Sequence, residues 1–379
     1  MNFPSLKGLT VLLTLLPVLS LAQISAPKPP ALDAKGYLLI DFRSGQVLAD
    51  KNPDERLDPA SITKLMTAYA VFRAIKSEQI SIDDEVLVSE KAWRTPGSRM
   101  FIEVGTRVTV KDLLPGMIIQ SGNDASVALA EHVAGTEATF AEVMNQLAAE
   151  LGMTNTNYVN STGLPDENHY TSATDIGKLA TALIKEFPDY YKWYSQKEFS
   201  YNGITQANRN SLLWRDESVD GMKTGFTESA GYCLVSSAER NDMRLISVVL
   251  GTDSPAARAR ESQAILNYGF RFYESKLLWE QGEIISGARV WKGAQDEIDL
   301  IVKDPVYITI PRGKAEQLET RMSMPDKLIA PVSSGMPVGQ AIVSIKGSDI
   351  ASVDLYSSLD VAEGGLMQVA WDELLLWFE

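Results

Sequence analysis

The chain has 379 residues and carries 49 Asp and Glu against 35 Lys and Arg, a formal net charge of −14. With no basic run or domain to offset that excess, a nucleic-acid binder is excluded. A single cysteine, Cys233, excludes an intrachain disulfide framework, and two histidines, His132 and His169, leave a zinc site or a histidine-based triad hard to assemble.

The length predicts two or three domains, and 45% hydrophobic residues can furnish a large core. Residues 1–22 read as a secretory signal peptide, with Lys7 as the positive start and an apolar stretch from Leu9 to Leu21 too short to span a bilayer comfortably. Ser20 and Ala22 suit a cut before Gln23; the alternative is an uncleaved anchor. Export to a periplasm follows. Residues 23–35, with Ala26-Pro27-Lys28-Pro29-Pro30, read as a linker to a first domain over 36–283.

In that domain, Gly36 to Asp41 and Gln46 to Ala49 flank Arg43-Ser44-Gly45, a hairpin signal. Asp58 is a good helix N-cap, Pro59 suits the first helical position, and apolar residues recur at helical spacing from Leu65 to Ile75. Ser61 and Lys64 therefore share one face of the first turns, where the macrodipole is positive. A serine needs a base to become a nucleophile, and a desolvated lysine can be that base. By itself the spacing equally describes a solvated helix face. Val86 to Val88 and Thr106 to Val110 are short strand candidates around a loop, Trp93 to Arg99, that holds Pro96 and Gly97. Leu113 to Ile119 leads into Gln120-Ser121-Gly122-Asn123-Asp124. Helices are predicted over 125–133, 140–151 and 175–184, with an irregular polar stretch over 154–170. Residues 220–226, 231–237 and 244–251 read as consecutive antiparallel strands, and 256–272 as a closing helix.

From Ile284 helical periodicity gives way to short alternating runs such as Val306 to Ile310 and Ala341 to Ile345, so 284–358 reads as a small all-β domain. Residues 360–379 form an amphipathic helix, with Leu366, Met367, Ala370, Trp371, Leu374, Trp377 and Phe378 on one side and Gln368, Asp372 and Glu379 opposite. Such a helix is an interfacial membrane anchor or docks on its own domain. It contains no Lys or Arg, so attraction to anionic headgroups is missing.

Three short motifs stand in order: Ser61-Ile62-Thr63-Lys64, Ser121-Gly122-Asn123 and Lys223-Thr224-Gly225. With this trio, and with Leu57-Asp58-Pro59-Ala60, Asn208-Arg209-Asn210 and Gly269-Phe270-Arg271-Phe272, the chain resembles a low-molecular-mass penicillin-binding protein, a D-alanyl-D-alanine carboxypeptidase of Gram-negative bacteria. The resemblance covers almost the whole mature chain. It implies an α/β (α+β) fold of the penicillin-binding and β-lactamase-like kind: a central antiparallel sheet flanked by helices, a small all-β C-terminal domain and a terminal amphipathic helix. It implies removal of the terminal D-alanine from peptidoglycan stem pentapeptides through an acyl-enzyme that β-lactam antibiotics also form. The implied place is the periplasmic face of the inner membrane, with the C-terminal helix on the membrane surface. No metal or cofactor is implied.

By the resemblance, Ser61 is the nucleophile and Lys64 its base, made neutral by burial and by the neighbouring Lys223. Ser121 relays a proton to the leaving amine, and Asn123 holds Lys64 or the substrate amide. Lys223 and Thr224 bind the terminal carboxylate. Gly225 leaves a strand edge bare for the substrate backbone, and the N–H groups of Ser61 and Phe226 form the oxyanion hole. Phe226 is a wall of the cleft or part of the core. Arg258 is a further carboxylate ligand or an ordinary surface arginine. Gly122 stands where class A β-lactamases carry Asp, and no glutamate matches their deacylating one, so a β-lactam adduct is expected to leave slowly. A β-lactamase-like hydrolase and an endopeptidase of the same fold are the alternatives. Cys233 reads as a buried inert thiol and His132 as structural, while His169 has no visible partner.

Overall fold

A strand covered on both faces needs apolar side chains on both, and Met243–Thr252 is such a strand. In the computed structural model, which describes residues 26–377, it is the middle of a five-stranded sheet. The expected leader lies outside the described residues, as do Phe378 and Glu379. Labelled in chain order, the strands are β1 (Gly36–Asp41), β2 (Val47–Lys51), β3 (Val219–Thr227), β4 (Gly231–Arg240) and β5 (Met243–Thr252). They pair antiparallel in the order β2-β1-β5-β4-β3, which leaves β3 at an edge.

Side chains alternate between the faces with period two. Leu39, Leu245 and Val249 pack with Ile265 and Leu266 of the closing helix, α5 (Pro255–Phe272). Leu38, Ile40, Ile246 and Val248 pack on the other face, against α1 (Lys64–Lys76) and its neighbours α2 (Asn123–Ala134), α3 (Glu137–Glu150) and α4 (Ala173–Glu186). Helix α1 is sheathed nearly all round: ten of its residues are buried, among them Leu65, Tyr69 and Phe72.

Several expectations change. The turn before α1 is a 3-10 helix, Ala60–Thr63, closed by Ile62 N–H on the Pro59 carbonyl, and no side chain caps it, so Asp58 is not the N-cap. Trp93 and Arg94 belong to a short helix, Glu90–Arg94, because the Ser89 hydroxyl caps Ala92 N–H. Residues 26–35 are no free linker: Leu32 and Ala34 are buried, and the Pro27 carbonyl accepts the Tyr268 hydroxyl.

The β-rich part begins earlier than its texture indicates. Tyr273–Trp279 follows α5 directly and pairs with Val306–Pro311. Its Tyr273 is also the C-cap of α5, so no loop or breaker marks the change. A six-stranded sheet over residues 284–357 follows. The last helix, α6 (Leu366–Leu376), lies on this sheet with its polar side inward. Asp372 is buried and accepts Lys292 N–H, Glu373 pairs with the Lys292 ammonium, and Gln368 bonds Asp296. Leu366, Met367, Trp371, Leu374 and Trp377 stay exposed.

Candidate active site

In a 3-10 turn the side chains at i and i+3 nearly eclipse. That geometry stacks Ser61 of the turn against Lys64, the first residue of α1, with Lys64 Nζ 3.2 Å from Ser61 Oγ. The turn can lie so close to β3 because Gly225 has no side chain. A Cβ there would stand 3.1 Å from the Pro59 carbonyl oxygen and 3.2 Å from Ala60 Cβ. Gly225 therefore serves the packing of the Ser61 turn, a reason not seen in the sequence.

Lys64 is 1% exposed. Its amine donates to Asn123 Oδ1 and to the Thr162 carbonyl, both at 2.7 Å. Burial, and then the Arg209 guanidinium, lower its pKa to about 7, against the opposing pull of Asp124 and Glu137. A neutral amine has two N–H bonds and one lone pair. Asn123 and Thr162 take the two N–H bonds, so the lone pair is left for the Ser61 hydroxyl.

The sequence motif pairs Ser121 with Lys64, but the structure pairs it with Lys223, whose Nζ donates to Ser121 Oγ at 2.9 Å and to the Thr224 carbonyl at 3.0 Å. Lys223 is buried at the edge strand, and burial first, then Lys64, Arg209 and Arg258, hold its pKa well below the usual lysine value. Ser121 itself is in left-handed backbone, φ 68°, an unfavourable state for a serine. Asp124 builds the loop opposite, accepting Met100, Phe101 and Ile102 N–H at 2.9, 2.8 and 3.3 Å. That loop returns the Pro96 carbonyl to Asn123 Nδ2 and the Ser98 carbonyl to Asn123 N–H.

A cleft of about 500 Å³ opens over these groups, lined by Ser61, Ser121, Asn123, Thr224, Gly225 and Phe226 among others. Lys64 and Lys223 lie beneath its floor, and the cations that line it are Arg209 and Arg258. No carboxylate lines it among the described residues, so an acidic protein has a locally cationic cleft. Arg258 is no ordinary surface residue: it is 9% exposed, donates to the Gly225 carbonyl at 3.3 Å and lies 5.6 Å from the Tyr232 ring. Phe226 is 48% exposed and stacks on Tyr232 with ring centres 4.2 Å apart.

The family model described as D-alanyl-D-alanine carboxypeptidase, peptidase S11, matches residues 23–254. The chain belongs to this family. A second model, the C-terminal domain of penicillin-binding protein 5, matches residues 273–363. The D-alanyl-D-alanine carboxypeptidase DacA of Haemophilus influenzae is 43% identical over 354 residues, 92% of this chain and 90% of the relative. The crystal structure of penicillin binding protein 5 from the same organism superposes with a TM-score of 0.87 at 42% identity, covering 89% of this chain and all of that one. Penicillin-binding protein D2 of Listeria monocytogenes, solved in an ampicillin-bound form, matches with a TM-score of 0.60 at 29% identity over 64% of this chain and 100% of its own.

The carboxypeptidase site contains residues that motif reading passed over. Arg209 is set by its neighbours: Asn208 accepts Asn210 N–H, and Asn210 Nδ2 donates to the Gly221 carbonyl at 2.9 Å. The Asn-Arg-Asn triplet was visible, but its pairing with β3 was not. Glu137 bonds Ser161 N–H and Oγ and pairs with Lys91 at 2.8 Å. His169, expected to lack partners, is 2% exposed and bonded on both ring nitrogens. Cys233 is fully buried with its thiol pushed up to about 11, so it is unreactive. His132 meets Asp84 at 3.2 Å, away from the cleft-lining residues.

Proposed function

We propose that this D-alanyl-D-alanine carboxypeptidase works through an acyl-enzyme on Ser61, with Lys64 as the base. The observation that carries the reading is the buried amine whose two N–H bonds are committed to Asn123 and Thr162, leaving its lone pair for Ser61. The Ser61 hydroxyl gives its proton to Lys64 as Oγ bonds the carbonyl carbon between the two D-alanines. The C–N bond breaks, and the leaving amine takes a proton from Ser121, which is replenished across the Lys64–Lys223 pair. Water then attacks the ester, giving its proton to Lys64, and Ser61 is restored.

Thr224, Arg209 and Arg258 suit the terminal carboxylate, with Lys223 supplying charge from below. The edge strand β3 offers free backbone groups for an extended substrate and, with Ser61, the N–H groups of an oxyanion hole. Phe226 on Tyr232 makes an aromatic wall beside it. The same groups suit a β-lactam carboxylate and carbonyl, and the likeness to an ampicillin-bound relative supports that. With no carboxylate among the described residues that line the cleft to activate water, the adduct leaves slowly.

We place the enzyme at the periplasmic face of the inner membrane, acting on peptidoglycan stem peptides. Helix α6 supports this, since its apolar side is exposed while its polar side is docked. No helix among the described residues is long and apolar enough to cross a membrane. The β-rich part serves as the spacer between that helix and the catalytic part.

The test is intact-mass spectrometry of residues 23–358 with penicillin and, separately, with diacetyl-Lys-D-Ala-D-Ala. A penicilloyl adduct on Ser61, absent from Ser61→Ala, together with released D-alanine is the expected result. An adduct that vanishes within seconds with no D-alanine released would make the protein a β-lactamase.

A further inference from the structure

The residues between α3 and α4 line the cleft with Thr162, Gly163 and Leu164, and their Thr162 carbonyl is one of the two groups that orient Lys64. They press hard on the nucleophile turn. Gly163 has φ 82°, and a Cβ on it would fall 1.8 Å from the Ala60 carbonyl oxygen. Asn160 Oδ1 accepts the N–H groups of Thr162 and Gly163, and Glu137 holds Ser161 from α3. Thr67 Oγ1 donates to the Ser161 carbonyl from one turn along α1. The remaining tie is His169, which reaches Thr63, the residue next to Lys64.

The tautomer of His169 follows from its partners. Val159 N–H donates to Nδ1 at 3.1 Å, so Nδ1 carries no proton. The proton is on Nε2, which donates to Thr63 Oγ1 at 2.8 Å. An imidazolium would set a second N–H against Val159 N–H. The Tyr158 ring packs edge-on at 5.6 Å and completes the enclosure.

We propose that His169 is a positioning residue for Lys64: its neutral ring clamps residues 159–163 to Thr63, which holds the Thr162 carbonyl on the Lys64 amine and keeps water from it. The inference rests on Lys64 being the base. Neutrality of His169 is secured by burial, with Lys64 adding to it and Asp166, Asp58 and Glu137 opposing it; its pKa falls to about 4. Lys64 is faced by Arg209, Asp124 and Glu137, with Lys223 nearby, and burial is the first cause of its own lowered value. Loosening the clamp admits water, and the Lys64 pKa then rises toward that of a free lysine.

The test is the pH dependence of penicillin acylation in the full chain carrying Thr63→Val, a replacement of nearly equal shape that removes the Nε2–H acceptor. Thr63→Ser restores the acceptor, and His169→Ala removes the donor. Thr63→Val and His169→Ala are expected to acylate at least ~10-fold more slowly at pH 7, as for one lost hydrogen bond. Their acid limb is expected to move up by about one pH unit as hydration returns. Thr63→Ser is expected to keep the wild-type limb. A slower Thr63→Val with an unmoved limb would assign the clamp to folding alone and overturn the inference, as would a wild-type rate and limb in that variant. A wild-type profile with no limb near pH 7 would instead sink Lys64 as the base, and this inference with it.

Discussion

As the proposed base, Lys64 can act only when uncharged, and burial favours that state. The sign of the pH effect follows. Protonation occupies the lone pair, so acylation is lost as pH falls through about 7. Below pH 7 the rate should fall about tenfold per unit, as for a single required base. Lys64→Arg keeps its charge at every accessible pH and should lose at least ~10³-fold in acylation. Stopped-flow or quenched-flow acylation rates from pH 5 to 9 check both, and a rate that stays flat through pH 7 would refute the assignment. Ser61 and Lys64 were legible from the three motifs together and the resemblance they carry, since their spacing alone equally suits a solvated helix face. The environment was not. Arg209 is fixed through a carbonyl on another strand, and His169 owes its tautomer to Val159 and Thr63, the latter 106 residues away.

The longer helices were read well with or without a side-chain cap, α2 without one, while the Ser89-capped Glu90–Arg94 was too short to show helical periodicity. Thr136, Ser172 and Ser254 each cap the helix that follows, and α3, α4 and α5 begin within three residues of where periodicity puts them. The turn at Ser61 was misread because i, i+3 spacing suits a 3-10 turn as well as an α-helix, and the backbone bond that marks the 3-10 turn, Ile62 N–H to the Pro59 carbonyl, leaves no trace in the spacing. Tyr273–Trp279 was missed because no breaker separates it from α5. At the start of α2, Asp124 is a prediction of its own. Asp124→Ala strands three backbone N–H groups of the 100–102 loop, two of them on buried residues. At ~1 kcal/mol or more per stranded donor, the loss should be about 3 kcal/mol. Thermal unfolding should show it as a fall of several degrees in Tm, with slower acylation because the loop also holds Asn123. An unchanged Tm would mean the loop is held by other contacts.

The whole molecule joins two parts through specific contacts: Ser44 Oγ to Thr309 Oγ1 at 2.6 Å, Arg43 over the Tyr307 ring, and Arg312 to the Phe270 carbonyl at 2.8 Å. The antiparallel sheet between helices, followed by a β-rich part and a terminal helix, was legible from periodicity and from the three motifs together. Which side of α6 faces its own protein was not, because an amphipathic pattern is silent on whether water, lipid or protein meets each side. With acidic residues but no Lys or Arg in residues 360–379 and a net charge of −14, lipid binding should be no stronger on anionic than on neutral vesicles, and salt should not weaken it. Trp371→Glu with Leu374→Glu should abolish co-sedimentation and leave release of D-alanine from a soluble tripeptide unchanged. Binding that needs anionic lipid would count against apolar insertion.

The docking of α6 also has a mechanical side. The helix is bolted at Asp372, and the chain before it is stitched by the Val332–Val361 and Gly293–Glu363 bridges. With α6 on lipid as proposed, tension between lipid and wall would reach the six-stranded sheet through these two bridges and the Asp372 contact. The chain joins the catalytic part through Tyr273–Trp279, which pairs with Val306–Pro311 outside that sheet and starts at the C-terminal end of α5. Arg258 is 15 residues back along that helix, about 22 Å at 1.5 Å per residue. A pull applied at Tyr273 would thus reach Ser61 and Lys64 only through the length of α5 and the central sheet.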